Sequence, residues 1–125
     1  MKDAERPIAA IVLAAGKGTR MRSSTHKVLH AIAGRPMIEH LLASVEHLAP
    51  ARCVVVVGEY REQVEAALAG RVTFAVQQPQ LGTGHAVQQA AAALDGFAGD
   101  VLVLFGDVPF VSAQTMRTML GRLHA

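Results

Sequence analysis

The apolar positions of this chain alternate between short unbroken runs and sets spaced three and four residues apart. Residues 8–14, 53–57, 72–76 and 101–105 read as strands, because a strand covered on both faces is apolar at every position. Between them, residues 37–48 place apolar side chains at 37, 38, 41, 42, 45 and 48, the period of one helix face. Residues 61–69 form a second expected helix ended by Gly70, residues 85–94 a third, and residues 112–123 a fourth with Ser112 as its cap. The order βαβαβαβα predicts an α/β fold: a Rossmann-like parallel sheet with helices on both faces. No repeat, low-complexity segment or linker interrupts it.

Length and composition narrow the picture. At 125 residues the chain is one domain or a piece of one. Hydrophobic residues make up 51% and aromatics 4%, so the core has to be built from Ala, Val and Leu, as in a buried parallel sheet. The single cysteine, Cys53 in "CVVVV", excludes an internal disulfide and fits a reducing compartment, where it is expected as a buried, inert thiol. The start "MKDAERPIAAIVLAAG" superficially resembles a secretory signal, but Asp3 and Glu5 spoil its basic region and Lys17 and Arg20 follow at once. A first buried strand is expected instead. No apolar stretch approaches the roughly 18 residues of a membrane span, so a cytoplasmic protein without a membrane partner is expected.

Charge is unevenly spread. Residues 1–35 hold seven basic residues against Asp3 and Glu5, a balance of +5, whereas the remainder holds five basic residues against eight acidic ones, a balance of −3. A nucleic-acid binder would add aromatics for stacking or a basic helix face. Here the basic residues crowd around a glycine turn in "LAAGKGTRMRSSTHKVLH", which favours a small phosphorylated ligand over nucleic acid.

In a parallel sheet, ligands gather where loops leave the carboxyl ends of the strands. Three such loops carry polar or glycine residues. In "AAGKGTR", Gly16 and Gly18 allow close approach of the backbone and can aim N–H groups at phosphate oxygens. Lys17, Arg20 and Lys27 would give charge-assisted bonds to a triphosphate. The spacing is neither the dinucleotide fingerprint nor a Walker A loop, and a plain turn with solvated bases is the competing account. In "QQPQLGTGH", Gln77 or Gln80 with a glycine N–H offers the mixed donors and acceptors that a nucleobase edge needs; an ordinary hinged loop is the alternative. His85 is expected to start the helix, and six scattered histidines give no zinc site. In "VLVLFGDVP", Asp107 leaves the sheet as a lone carboxylate, which suits Mg²⁺ shared with substrate phosphates, or else simply forms a turn before Pro109.

"LAAGKGTRM" with "KVLHAIAGRPM", then "QLGTGHA" and "GDVP", resemble the uridylyltransferase domain of the bacterial bifunctional N-acetylglucosamine-1-phosphate uridyltransferase and glucosamine-1-phosphate acetyltransferase family, within the sugar nucleotidyltransferases. The likeness covers nearly the whole chain. It implies a nucleotide-diphospho-sugar transferase type of fold and Mg²⁺-dependent transfer of UMP from UTP to N-acetylglucosamine 1-phosphate, with pyrophosphate released. By that resemblance Leu13, Ala14, Ala15, Gly16, Lys17, Gly18 and Gly106 would line the nucleotide. Lys27 would contact its phosphates, Gln77, Gly82 and Thr83 would hold uracil, Asp107 would bind Mg²⁺, and Arg20 would stabilise the departing pyrophosphate.

Three departures from the family pattern stand out. His26 occupies a position usually held by proline, Phe105 one commonly held by tyrosine, and the chain ends at Ala125. The resemblance therefore assigns residues 1–125 to the nucleotide-binding, amino-terminal half of a truncated transferase domain, without the acetyltransferase β-helix that would bring oligomerisation. A nucleotide-binding fragment without turnover is the alternative from another class, and a cytidylyltransferase, which would need a different base loop, is a third.

Overall fold

The computed structural model describes residues 7–15, 29, 31–58, 61–77, 82–106, 108 and 110–123. Its elements run β1 (Ile8–Leu13), β2 (Ala31–Ile32), β3 (Arg35–Pro36), α1 (Met37–Glu46), β4 (Arg52–Val57), α2 (Arg61–Leu68), β5 (Thr73–Val76), α3 (Thr83–Ala93), β6 (Asp100–Phe105) and α4 (Ala113–Leu123). Strands β5, β4, β1 and β6 lie in that order in one sheet, and every pair is parallel. The expected α/β architecture is therefore present, with each expected strand displaced by a residue or less at its start.

Alternation along β1 shows how both faces are filled. Ala10, Val12 and Ala14 point to one side, where they meet Ile38, Leu41 and Val45 of α1, Val64 and Leu68 of α2, and Met116 of α4. Ala9 and Ile11 point to the other, against Ala86, Ala90 and Leu94 of α3. A period of two in the strand thus feeds two separate cores. Small residues at 86 and 90, four apart on α3, bring that helix close to the sheet.

Helix ends follow local chemistry. Ser112 accepts a bond at Oγ from the Thr115 amide at 3.1 Å, the cap expected of it. Gly70, at φ 80°, ends the turn after α2 in a conformation that side chains resist. Helix α1 is regular only to Glu46, two residues short of the expected end, because the His47, Leu48 and Ala49 amides bond three residues back to Ser44, Val45 and Glu46. Leu48 still packs into the core. Helix α3 begins at Thr83 rather than at His85. Gly82, at φ 102°, breaks the chain direction there and the helix starts immediately after it.

One element is new to the sequence reading. Ala31–Ile32 and Arg35–Pro36 pair antiparallel across Ala33 and Gly34, whose φ values of 52° and 84° match the two left-handed positions of a tight hairpin turn. His40 of α1 bonds through Nε2 to the Ile32 carbonyl and tethers the hairpin to the helix that follows it. Among the described residues, no helix is long and apolar enough to cross a membrane.

Candidate functional site

The carboxyl ends of the four parallel strands are level. Leu13 pairs with Val56 on one side and Phe105 on the other, and Val57 pairs with Val76. Beyond these pairs the ladder continues into the loops: the Ala14 amide reaches the Val56 carbonyl at 2.9 Å, Gln77 reaches Val57 at 2.7 Å, and Gly106 reaches Leu13 at 2.9 Å. Chain exits at residues 14, 77 and 106 are therefore fixed by backbone bonds along one edge, with strand spacings of about 4.8 Å between neighbours.

Of the residues singled out by sequence, Leu13, Ala14, Ala15, Gln77, Gly82, Thr83 and Gly106 are described. Leu13 and Ala15 pack on the α3 side of the sheet, while Ala14 is buried on the other. Gly106 is buried at the end of β6. Thr83 opens α3, so its backbone belongs to the amino-terminal turn of a helix, where N–H groups lack partners within the helix. Gly16, Lys17, Gly18, Arg20, Lys27 and Asp107 lie outside the described residues, as does Gln80.

Among the described residues, Gln77 is the most enclosed polar residue at this edge, 2% exposed. Its Nε2 donates to the Gly82 carbonyl at 2.9 Å and lies 3.1 Å from His85 Nδ1. His85 Nε2 is in turn 3.2 Å from Gln89 Nε2. A buried amide cannot leave its hydrogens unpaired without a cost of about 1–3 kcal/mol, so this network holds Gln77 against the start of α3. His85, expected only to begin a helix, is a structural partner of Gln77. The signal for it was the four-residue step from His85 to Gln89, which puts the two on one helix face.

Phe105 pairs with Leu13 and is 48% exposed, and Phe110 just beyond is 67% exposed with its ring 5.1 Å from that of His40. The aromatic ring retained at position 105 thus lies open beside the end of β1. No group of three or more His, Cys, Asp or Glu among the described residues could enclose a metal.

Away from this edge, Arg71 Nη1 donates to both carboxylate oxygens of Glu39 at 2.9 and 2.8 Å, and Nη2 to Glu46 at 3.3 Å. The bonds to Glu39 raise the Arg71 guanidinium further above its ordinary range. Burial, helped by Glu46 and opposed by Arg71, pushes the nearby Cys53 thiol up to about 11. That thiol is inert at neutral pH, and nothing connects it with the strand ends.

A family profile described as MobA-like NTP transferase domain matches residues 10–125. The bifunctional protein GlmU of Sphingopyxis alaskensis is 71% identical over 119 residues, 95% of this chain and 26% of that protein. This chain accordingly spans about a quarter of the length of the curated relatives it matches. Among solved structures, a nucleotidyl transferase from Methanothermobacter superposes with a TM-score of 0.74 at 31% identity, covering 92% of this chain and 57% of the other. Rv0371c of Mycobacterium tuberculosis, in a complex with manganese, gives 0.75 at 22% identity over 92% of this chain and 58% of its own, a likeness of fold.

Proposed function

The chain belongs to the MobA-like NTP transferase domain family, and on that footing we propose that it is the UTP-binding part of a uridylyltransferase that makes UDP-N-acetylglucosamine. The observation that carries this reading is the buried Gln77, fixed by the Gly82 carbonyl at the level carboxyl edge of the sheet. A preorganised amide beside a helix start is what recognition of a nucleobase edge requires. High identity to GlmU proteins along nearly the whole chain supports uracil as that base and N-acetylglucosamine 1-phosphate as the acceptor.

In this reading Leu13, Ala14, Ala15 and Gly106 shape the wall along β1 and β6, while Gln77, Gly82 and Thr83 receive the base. Gly16, Lys17 and Gly18 wrap the phosphates, and Lys27 and Arg20 meet the negative charge that builds on the leaving pyrophosphate. Asp107 contributes the carboxylate to Mg²⁺, which supplies charge neutralisation on the phosphate oxygens when bound. An oxygen of the sugar phosphate bonds to the α-phosphorus, the bond from that phosphorus to the bridging oxygen breaks, and pyrophosphate departs. The nucleophile arrives already anionic, so the residues have to align and neutralise rather than remove a proton.

The test is calorimetric titration of UTP with Mg²⁺ into the folded 125-residue chain, with CTP and ATP alongside. Selective UTP binding, weakened at least tenfold, about 1.4 kcal/mol, by Lys27→Ala or Asp107→Ala but not by Arg22→Ala, is the expected result. Equal binding of the three nucleotides by a folded chain would overturn it.

A further inference from the structure

The bonds around Gln77 settle which end of its amide is available. Nε2 faces the Gly82 carbonyl at 2.9 Å, and a carbonyl accepts only from a donor, so the NH₂ end must point there. Its second hydrogen is directed at His85 Nδ1, 3.1 Å away, which must then accept. A neutral imidazole with Nδ1 as acceptor carries its proton on Nε2. His85 Nε2 lies 3.2 Å from Gln89 Nε2, and two N–H donors cannot share that contact, so the relay requires the Gln89 amide to be turned end for end, with Oε1 accepting. Each partner fixes the next. At the end of the relay both Gln77 hydrogens are consumed, and Oε1 is the part of the amide that no described residue engages.

We propose that His85 is a positioning residue: in its Nε2–H form, backed by Gln89, it holds Gln77 with the carbonyl oxygen turned to the ligand, which selects a base bearing an imide N–H. Uracil donates from its ring N3–H, whereas cytosine offers an acceptor lone pair at that position and would meet Oε1 with repulsion. The inference rests on Gln77 reading the base, as in the reading above. The orientation itself follows from the protein alone, so the two can be tested apart.

Long-range ¹H–¹⁵N spectra of the ligand-free chain assign the imidazole tautomer. His85 is expected as Nε2–H, with Gln77 side-chain amide resonances that move when His85 is replaced. An Nδ1–H form would aim two donors at each other and overturn the proposal. Titrations of UTP and CTP then measure discrimination. His85→Ala is expected to lower the UTP-to-CTP affinity ratio about five- to tenfold, the effect of one hydrogen bond, while His85→Asn, whose Oδ1 stands in for Nδ1, keeps it within about twofold. Equal weakening of both nucleotides by His85→Ala would reduce the residue to a support of the helix and sink the idea. Should His85→Ala fail to fold, Gln89→Leu frees the imidazole to exchange tautomers, with a mixed tautomer signal and a lowered ratio expected; an unmixed Nε2–H signal with an unchanged ratio overturns the role of the relay. A wild-type chain indifferent between UTP and CTP removes the uridine reading, and the tautomer alone then decides the orientation.

Discussion

The Gly106 amide donates to the Leu13 carbonyl at 2.9 Å, one residue past the last paired position of β1 and β6. This bond holds the exits of the two loops that the sequence marks for phosphate and metal.

Gly106→Pro removes the donor and leaves the Leu13 carbonyl without its partner at the strand end. A loss of about 1–3 kcal/mol in urea unfolding is expected, together with weaker UTP binding than the stability loss alone explains. Unchanged nucleotide affinity in a folded variant would show that the spacing of these exits does not matter.

Gly99 sits where a Cβ would run into the Pro7 carbonyl oxygen and lie 2.9 Å from the Phe97 ring. The same carbonyl accepts the Asp100 amide at 3.0 Å, so it cannot retreat without loosening the start of β6. Gly99→Ala is expected to destabilise by about 1–3 kcal/mol, read from the midpoint of denaturant unfolding.

Cys53 gives a pH signature. Its thiol is raised from 9.0 to about 11, chiefly by burial, so between those values the native chain keeps a proton that the unfolded chain has released. Fewer protons bound in the unfolded state makes stability fall as pH rises from about 9 to about 11, and leaves it untouched below. Unfolding midpoints measured across that range should show the slope, and Cys53→Ala should flatten it. Thiol reagents at pH 8 should modify the native chain far more slowly than the unfolded one.

Arg71 joins α1 to the turn before β5 through Glu39 and Glu46, but its side chain is 38% exposed. Exposed pairs of this kind contribute about 0.2–1 kcal/mol each, so Arg71→Ala should cost about 1 kcal/mol and less at high salt. A loss of several kcal/mol would mean that packing, not charge, holds this corner.

Much of this architecture was legible because doubly covered strands announce themselves. "IAAIVLA" and "VLVLF" are apolar at consecutive positions, and only a strand between two helical layers needs that. The hairpin at Ala31–Pro36 gave no such signal, since two-residue strands are too short for any period, and alanine at Ala33 hides a left-handed backbone. Glycine is a poor helix former, so Gly84 hides the start of α3, which the Gly82 break sets at Thr83. At the candidate site, a polar Gln77 at the end of β5 was legible, but its burial was not. The spacing of His85 and Gln89 put them on one helix face, yet a helical period says nothing about which polar group turns inward to meet Gln77.

The sheet order has a consequence for the chain as it is being made. Strand β1 emerges first but lies between β4 and β6, and Ile8 waits for Asp100 to complete its pairing. Until residues 100–105 have been made, the Ala9–Val12 stretch has one flank uncovered, so closure of the sheet depends on contacts distant in sequence. The strand-end edge, which needs β1 and β6 side by side, cannot form before then: a ribosome-bound chain that has not yet released residues 100–106 has no Gly106 to meet Leu13.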